Sequence, residues 1–192
     1  MEFDKILLIL DVDETLIYAT KQALNRPSDF TVFDYHVYKR PFLTEFLLGL
    51  SAHFHLAIWS SASDDYVQKI VDTIKPESVD FHFVWGRSKA TLQSLLSDED
   101  YGRYQDEISH YFYVKNLQKI KKQGFSLEKT LILDDTPSKS KNNYGNVIYP
   151  DGYEGALDDK ELPLLLTYLL TLKDVENVRK IEKRFWRQAV LT

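Results

Sequence analysis

The apolar residues of this chain come in short unbroken runs, each ended abruptly by polar ones. Ile6-Leu7-Leu8-Ile9-Leu10 stops at Asp11, Leu56-Ala57-Ile58-Trp59 at Ser60, Tyr111-Phe112-Tyr113-Val114 at Lys115, and Thr130-Leu131-Ile132-Leu133 at Asp134. A short apolar run without alternation fits a strand buried on both faces, as in a parallel sheet. Between the runs the spacing becomes helical. Phe42, Leu43, Phe46, Leu47 and Leu50 share one helix face, with Pro41 at the first turn, where a missing N–H costs nothing. Asp64 to Ile74 puts Tyr66, Val67, Ile70, Val71 and Ile74 on one side. Asn116 to Gln123 reads as a short third helix and Glu161 to Leu172 as a strongly apolar fourth. Strands alternating with helices predict an α/β fold: a central parallel sheet with right-handed crossovers, flanked by helices.

Three segments depart from the alternation. Residues 17–40, with Pro27, Thr31-Val32-Phe33 and His36-Val37-Tyr38, read as a hairpin or flap after the first strand. Residues 87–110 read as a polar, acidic insertion. Residues 174–190 mix Lys, Arg and Glu at helical spacing and are expected to form a solvated C-terminal helix. Phe81, Phe83 and Trp85 alternate as strand residues do, which suits a core better than a stacking platform. With no internal repeat, the 192 residues are expected to form a single domain.

Composition narrows the function classes. Apolar residues at 44% and charged residues at 28% are a globular balance. A net charge of -5 argues against general nucleic-acid binding, yet leaves room for one phosphorylated group in a local basic pocket. The absence of cysteine excludes disulfides, thiolate catalysis and sulfur-ligated zinc. No apolar run reaches membrane-spanning length and Met1-Glu2-Phe3-Asp4-Lys5 lacks the features of a secretion signal, so a soluble cytoplasmic protein with no membrane partner is expected. His36, His53, His55, His82 and His110 show no metal-ligand spacing.

In open α/β sheets, ligands bind at the carboxyl ends of the strands. The polar residues that end the apolar runs are therefore expected to converge: Asp11 and Asp13, Ser60, Lys115, and Asp134 with Asp135. Acids from two strand ends make an oxygen-rich site suited to a hard cation such as magnesium. A hydroxyl and a lysine at the same rim can hold phosphoryl oxygens as their charge grows in transfer. Taken singly, such an Asp is a turn or cap residue, Ser60 could serve the N-terminus of the next helix, and Lys115 could be a surface lysine. Their shared place at the ends of apolar strands weighs against those readings. Arg40 and Arg87 suit surface charge pairing at least as well as a site.

Asp11-Val12-Asp13-Glu14-Thr15 resembles the DxDxT signature of the haloacid-dehalogenase superfamily, with its Rossmann-like fold. Ser60, Lys115 and Asp134-Asp135 fall in order where its other motifs belong. The nearer resemblance is to the C-terminal-domain phosphatase, or NIF-like, branch, which includes the small RNA polymerase II phosphatases. It rests on Val37-Tyr38-Lys39-Arg40-Pro41, Ala57 to Ser63, Tyr113 to Leu117 and Leu131 to Pro137, and runs from about residue 5 to residue 170.

The resemblance implies a magnesium-dependent phosphatase working through an aspartyl-phosphate. Asp11 would be the nucleophile and Asp13 the acid and then the base, with Thr15 holding Asp13 through its hydroxyl. Ser60, Ser61 and Lys115 would bind the phosphoryl group, with an arginine near Arg87 on the substrate. Magnesium would be held by the Asp11 carboxylate, the Asp13 backbone carbonyl and Asp134, with Asp135 supporting from behind. The implied partner is a phosphorylated protein, read by flap residues among Phe30, Val32, Phe33, Tyr35 and Val37. A phosphatase of a small molecule or a nucleic-acid end, and a binding module without catalysis, are the alternatives. Departures from the family are the long acidic insertion and Ser60 where threonine is usual. The lack of a leading transit segment counts against a mitochondrial import relative.

Overall fold

The computed structural model describes residues 5–94 and 111–191. A five-stranded parallel sheet lies at its centre. Its strands are β1 (Leu7–Leu10), β5 (His55–Trp59), β6 (Phe81–Trp85), β9 (Thr130–Leu133) and β10 (Val147–Ile148), in the order β10-β9-β1-β5-β6. β1 is the middle strand, with Leu10 level with Ile58 on one side and Leu133 on the other.

The unbroken apolar runs follow from burial of both faces. Leu8, Leu10, Leu56, Ile58, Leu131 and Leu133 point into one core, against α1 (Leu43–Ser51), α2 (Asp64–Ile74) and α4 (Glu161–Leu172). Leu7, Ile9, Ala57, Trp59 and Ile132 point into a second core, closed by Leu117, Ile120, Phe125 and Leu127. Period-2 alternation thus sorts the strand residues between two cores instead of between core and water.

The helices carry local signals that fit their bounds. α2 opens after Ser63 with Asp64 and Asp65 in its first turn, where carboxylates offset the exposed N–H groups. It ends just before Pro76, and Lys75 is already extended. α4 spans the expected Glu161 to Leu172. α1 begins two residues after Pro41, because Phe42 takes a left-handed conformation (φ 65°) at its N-cap. The two remaining helices are single turns, α3 (Pro137–Ser140) and α5 (Gln188–Leu191). Among the described residues no helix is long and apolar enough to cross a membrane.

The flap is a three-stranded antiparallel sheet in which β4 (Tyr35–Lys39) lies between β2 (Ile17–Thr20) and β3 (Phe30–Val32). Three expectations need correction. Tyr111 to Val114 is not a strand of the main sheet; as β8 it pairs antiparallel with β7 (Thr91–Ser94) in a separate ladder. The insertion expected over 87–110 therefore begins with a 3-10 turn, Arg87–Lys89, and a strand; its remainder, 95–110 including His110, lies outside the described residues.

Asn116 to Gln123 is a 3-10 helix over Leu117–Gln123, not an α-helix. The expected helix over 174–190 is broken into a 3-10 turn at Val178–Lys180 and the short α5. The reason is packing. Val178 and Trp186 are buried in the first core, and the Lys183 ammonium folds back to donate to the carbonyls of Val178 and Ile181.

Candidate active site

The carboxyl ends of β1, β5 and β9 meet at one rim. Asp11 follows β1, with its N–H donating to the Leu133 carbonyl, and Ser60 follows β5, with its N–H donating to Trp85. Asp134 follows β9. Lys115 arrives differently, from the end of β8. Its N–H donates to the Lys139 carbonyl, and its own carbonyl accepts from the Asn143 side chain. The convergence expected from sequence is present, although one of its four contributors comes from outside the sheet.

Asp11 is 1% exposed and Lys115 is fully buried. The Lys115 ammonium stands 2.9 Å from Asp11 Oδ1 and 2.9 Å from Asp134 Oδ2. The two carboxylates thus hold the buried ammonium between them as an ion pair on each side. Asp11 Oδ1 also accepts from the Val12 N–H. Asp11 Oδ2 is buried and has no hydrogen-bond partner. Orphaned buried polar atoms are costly, and they are expected where a ligand is to bind. Burial pushes the Asp11 carboxyl up to about 7, with Lys115 pulling it down and Asp134 pushing it further up.

Asp13 sits on a tight turn in which Glu14 takes a left-handed conformation (φ 60°) and donates its N–H to the Ile17 carbonyl. The Asp13 carboxylate accepts from Tyr66 Oη at 2.7 Å and from Ser60 Oγ at 3.4 Å. Burial raises its affinity for a proton, and the Tyr66 bond offsets this in part. Thr15 does not hold Asp13. Its hydroxyl donates to Asp135 Oδ1 at 3.4 Å, because the turn at Glu14 directs it towards the β9 end of the rim.

The two acids after β9 divide their work. Asp134 is fully buried with both oxygens engaged: Oδ1 by the Thr136 N–H, Oδ2 by Ser140 Oγ and the Lys115 ammonium. Asp135 is half-buried and accepts from Thr15 and Thr136 hydroxyls. One carboxylate oxygen from each of Asp11, Asp134 and Asp135 lies within 4.8 Å of the others, a spacing that suits a hard cation. The unpartnered Asp11 oxygen is the observation that makes the fit specific.

A cavity of about 300 Å³ opens beside Asp13. The flap supplies Ala19, Phe33 and Tyr35 to its wall, the start of α2 supplies Ala62, Ser63 and Tyr66, and Arg87 closes it. Arg87 is exposed, donates to the Ser61 carbonyl and lies over the Tyr113 ring. Ser61 thus joins the rim through its backbone. Of the flap residues considered, Phe33 and Tyr35 line this cavity; Val32 and Val37 are core. Arg40 is not a surface residue but is 1% exposed, bound to Asp159 and to the carbonyls of Thr15 and Asp151.

Sequence reasoning missed Tyr66, Lys139 and Ser140. Tyr66 was hidden in an apolar helix stripe; the available signal was one hydroxyl among aliphatic neighbours, since a buried tyrosine needs a partner for its tip.

The profile of the NLI interacting factor-like phosphatase family matches residues 6–179. The CTD small phosphatase-like protein 2 of Dictyostelium discoideum is 29% identical over 91% of this chain and 29% of its own length. The human carboxy-terminal domain RNA polymerase II polypeptide A small phosphatase 1 is 25% identical over 93% of this chain and 63% of its own length. The chain therefore spans less than two thirds of either relative. The structure of Fcp1, an essential RNA polymerase II CTD phosphatase, superposes with a TM-score of 0.56 at 14% identity over 99% of this chain and 62% of that one, which is a likeness of fold.

Proposed function

The chain belongs to the NLI interacting factor-like phosphatase family, and from that premise we propose that it is a magnesium-dependent phosphatase of phosphoserine or phosphothreonine in protein, acting through an aspartyl-phosphate. The observation that carries the reading is the buried Asp11 carboxylate, with one oxygen unpartnered and the other beside a buried lysine.

The steps follow from the chain's own groups. An Asp11 oxygen attacks phosphorus and the bond from phosphorus to the substrate oxygen breaks. Asp13, whose proton affinity burial raises, gives its proton to that leaving oxygen. The Asp13 carboxylate then takes a proton from water, whose oxygen attacks the same phosphorus. The phosphorus–Asp11 bond breaks, phosphate leaves, and both acids return to their starting states. Lys115 and Ser60 hold the phosphoryl oxygens, and Asp134 holds Lys115. Tyr66 positions Asp13 in the place given to Thr15 by the resemblance.

Magnesium fits the donors of Asp11, Asp135 and the Asp13 backbone carbonyl, where it would supply positive charge against the phosphoryl oxygens. Asp135 takes the direct place and Asp134 the supporting one, because Asp134 is fully buried against the Lys115 ammonium, whereas half-buried Asp135 is met by hydroxyls alone.

The substrate reading rests on the cavity beside Asp13. Its aromatic and alanine walls, with Arg87 at one side, suit the side chains next to a phosphorylated residue in an extended peptide. Hydrolysis of a phosphopeptide panel against a metabolite panel, with magnesium and with a chelator, tests the proposal. Turnover of phosphoserine or phosphothreonine peptides that stops on chelation is expected. Indifference to every phosphopeptide alongside turnover of metabolites or of nucleic-acid ends overturns the substrate class, and turnover without metal overturns the metal assignment.

A further inference from the structure

The strand-end arrangement does not account for one charged side chain at the same rim. Lys139 belongs to α3 and follows Asp135 by four residues. Its ammonium lies 3.8 Å from Asp11 Oδ2, the oxygen that lacks a hydrogen-bond donor, whereas Lys115 stands at Oδ1. The two lysines therefore flank one carboxylate from its opposite oxygens. They differ in freedom: Lys115 is fully buried, while the Lys139 side chain is 27% exposed.

Charge makes the second lysine consequential. Asp11, Asp13, Asp134 and Asp135 crowd this rim, and an incoming phosphoryl group brings further negative charge to it. The Lys139 backbone is anchored, because its carbonyl accepts from the Lys115 N–H and its own N–H donates to Thr136. Among the described residues the ammonium itself has one ion-pair partner, at 3.8 Å. A fixed origin with a loosely held cation on a flexible stem is the arrangement of a group that closes on a ligand.

We propose that Lys139 is a second phosphoryl-binding residue, meeting the phosphoryl group from the solvent side while Lys115 holds it from within. The proposal rests on the phosphatase reading above. A local charge pair with Asp11 would occupy the same place, so the test must read phosphate itself.

Inorganic phosphate as a product inhibitor of aryl-phosphate hydrolysis, at saturating magnesium, supplies that readout. Wild type, Lys139→Met and Lys139→Arg are compared, with thermal unfolding to confirm that each is folded. Lys139→Met is expected to raise both the phosphate inhibition constant and KM about tenfold, as loss of one charge-assisted contact does. Lys139→Arg is expected to recover most of the loss. An unchanged inhibition constant in a folded, active Lys139→Met overturns the proposal, and a change confined to the magnesium titration does the same by making Lys139 a stand-in for the metal. A wild type that hydrolyses no phosphate ester overturns the phosphatase reading instead, and the proposal with it.

Discussion

Among the described residues, two buried basic side chains stand 2.9 Å from carboxylates, and they have opposite characters. Arg40 engages four of its five N–H donors. Its guanidinium bonds both oxygens of Asp159 and the carbonyls of Thr15 and Asp151, pinning the flap to the segment before α4. Lys115 lies equally deep between Asp11 and Asp134, but the second Asp11 oxygen has no donor. A satisfied buried pair is architecture, while an unsatisfied one stores electrostatic capacity for a ligand. Burial alone does not separate the two; the accounting of donors and acceptors does.

Exchanging charge for shape at the two positions gives the largest effects. Lys115→Met is expected to lower kcat/KM for an aryl phosphate by roughly 10²–10³, the cost of one preorganised donor. Arg40→Met is expected to lower unfolding stability by about 3–5 kcal/mol, because Asp159 and two carbonyls lose their partner. Urea unfolding and steady-state kinetics on both variants should show the effects crossed: activity lost more at Lys115, stability lost more at Arg40. Equal effects at both positions would erase the distinction.

Tyr66→Phe sharpens the chemistry of the reactive side. The Tyr66 hydroxyl donates to the Asp13 carboxylate and so favours its charged form, against burial. Removing it should raise the proton affinity of Asp13 further. Since the acid step needs Asp13 protonated, the alkaline limb of the kcat/KM profile should move to higher pH. A shift to lower pH would contradict Asp13 as the acid.

The smallest expected effect is acid sensitivity on the architectural side. Burial pushes the Asp159 carboxyl up, but hydrogen bonds from Arg40 and the Glu161 N–H more than offset it and hold it below its ordinary 3.8. A depressed carboxyl contributes stability that is present above its unfolded value and lost as pH falls through the folded one. Stability should therefore decline below about pH 4 in wild type, and Arg40→Met should show less of that decline in acid-dependent unfolding.

Much of the site was legible because physics left one reading. Leu7 to Leu10, Leu56 to Trp59 and Thr130 to Leu133 serve two cores at once, so their apolar runs could only be interior strands, and Asp11, Ser60 and Asp134 had to meet at their ends. Tyr111 to Val114 carries the same signature for another reason. Its partner, Thr91–Ser94, lies inside the segment taken as a polar insertion, so its antiparallel pairing was not visible. The tail from Asp174 misled through charge: helical spacing of Lys, Arg and Glu hid Val178 and Trp186, whose burial breaks the helix. Thr15 was given to Asp13 by resemblance, and only the left-handed turn at Glu14 shows why it reaches Asp135 instead.

The account turns on Asp11 as the group that receives the phosphoryl. The most direct measurement is aryl-phosphate turnover by Asp11→Asn with magnesium, alongside its circular dichroism and unfolding midpoint. The account predicts a native spectrum with turnover reduced by at least about 10⁴, since an amide of the same shape cannot form the intermediate. Turnover within tenfold of wild type would contradict it.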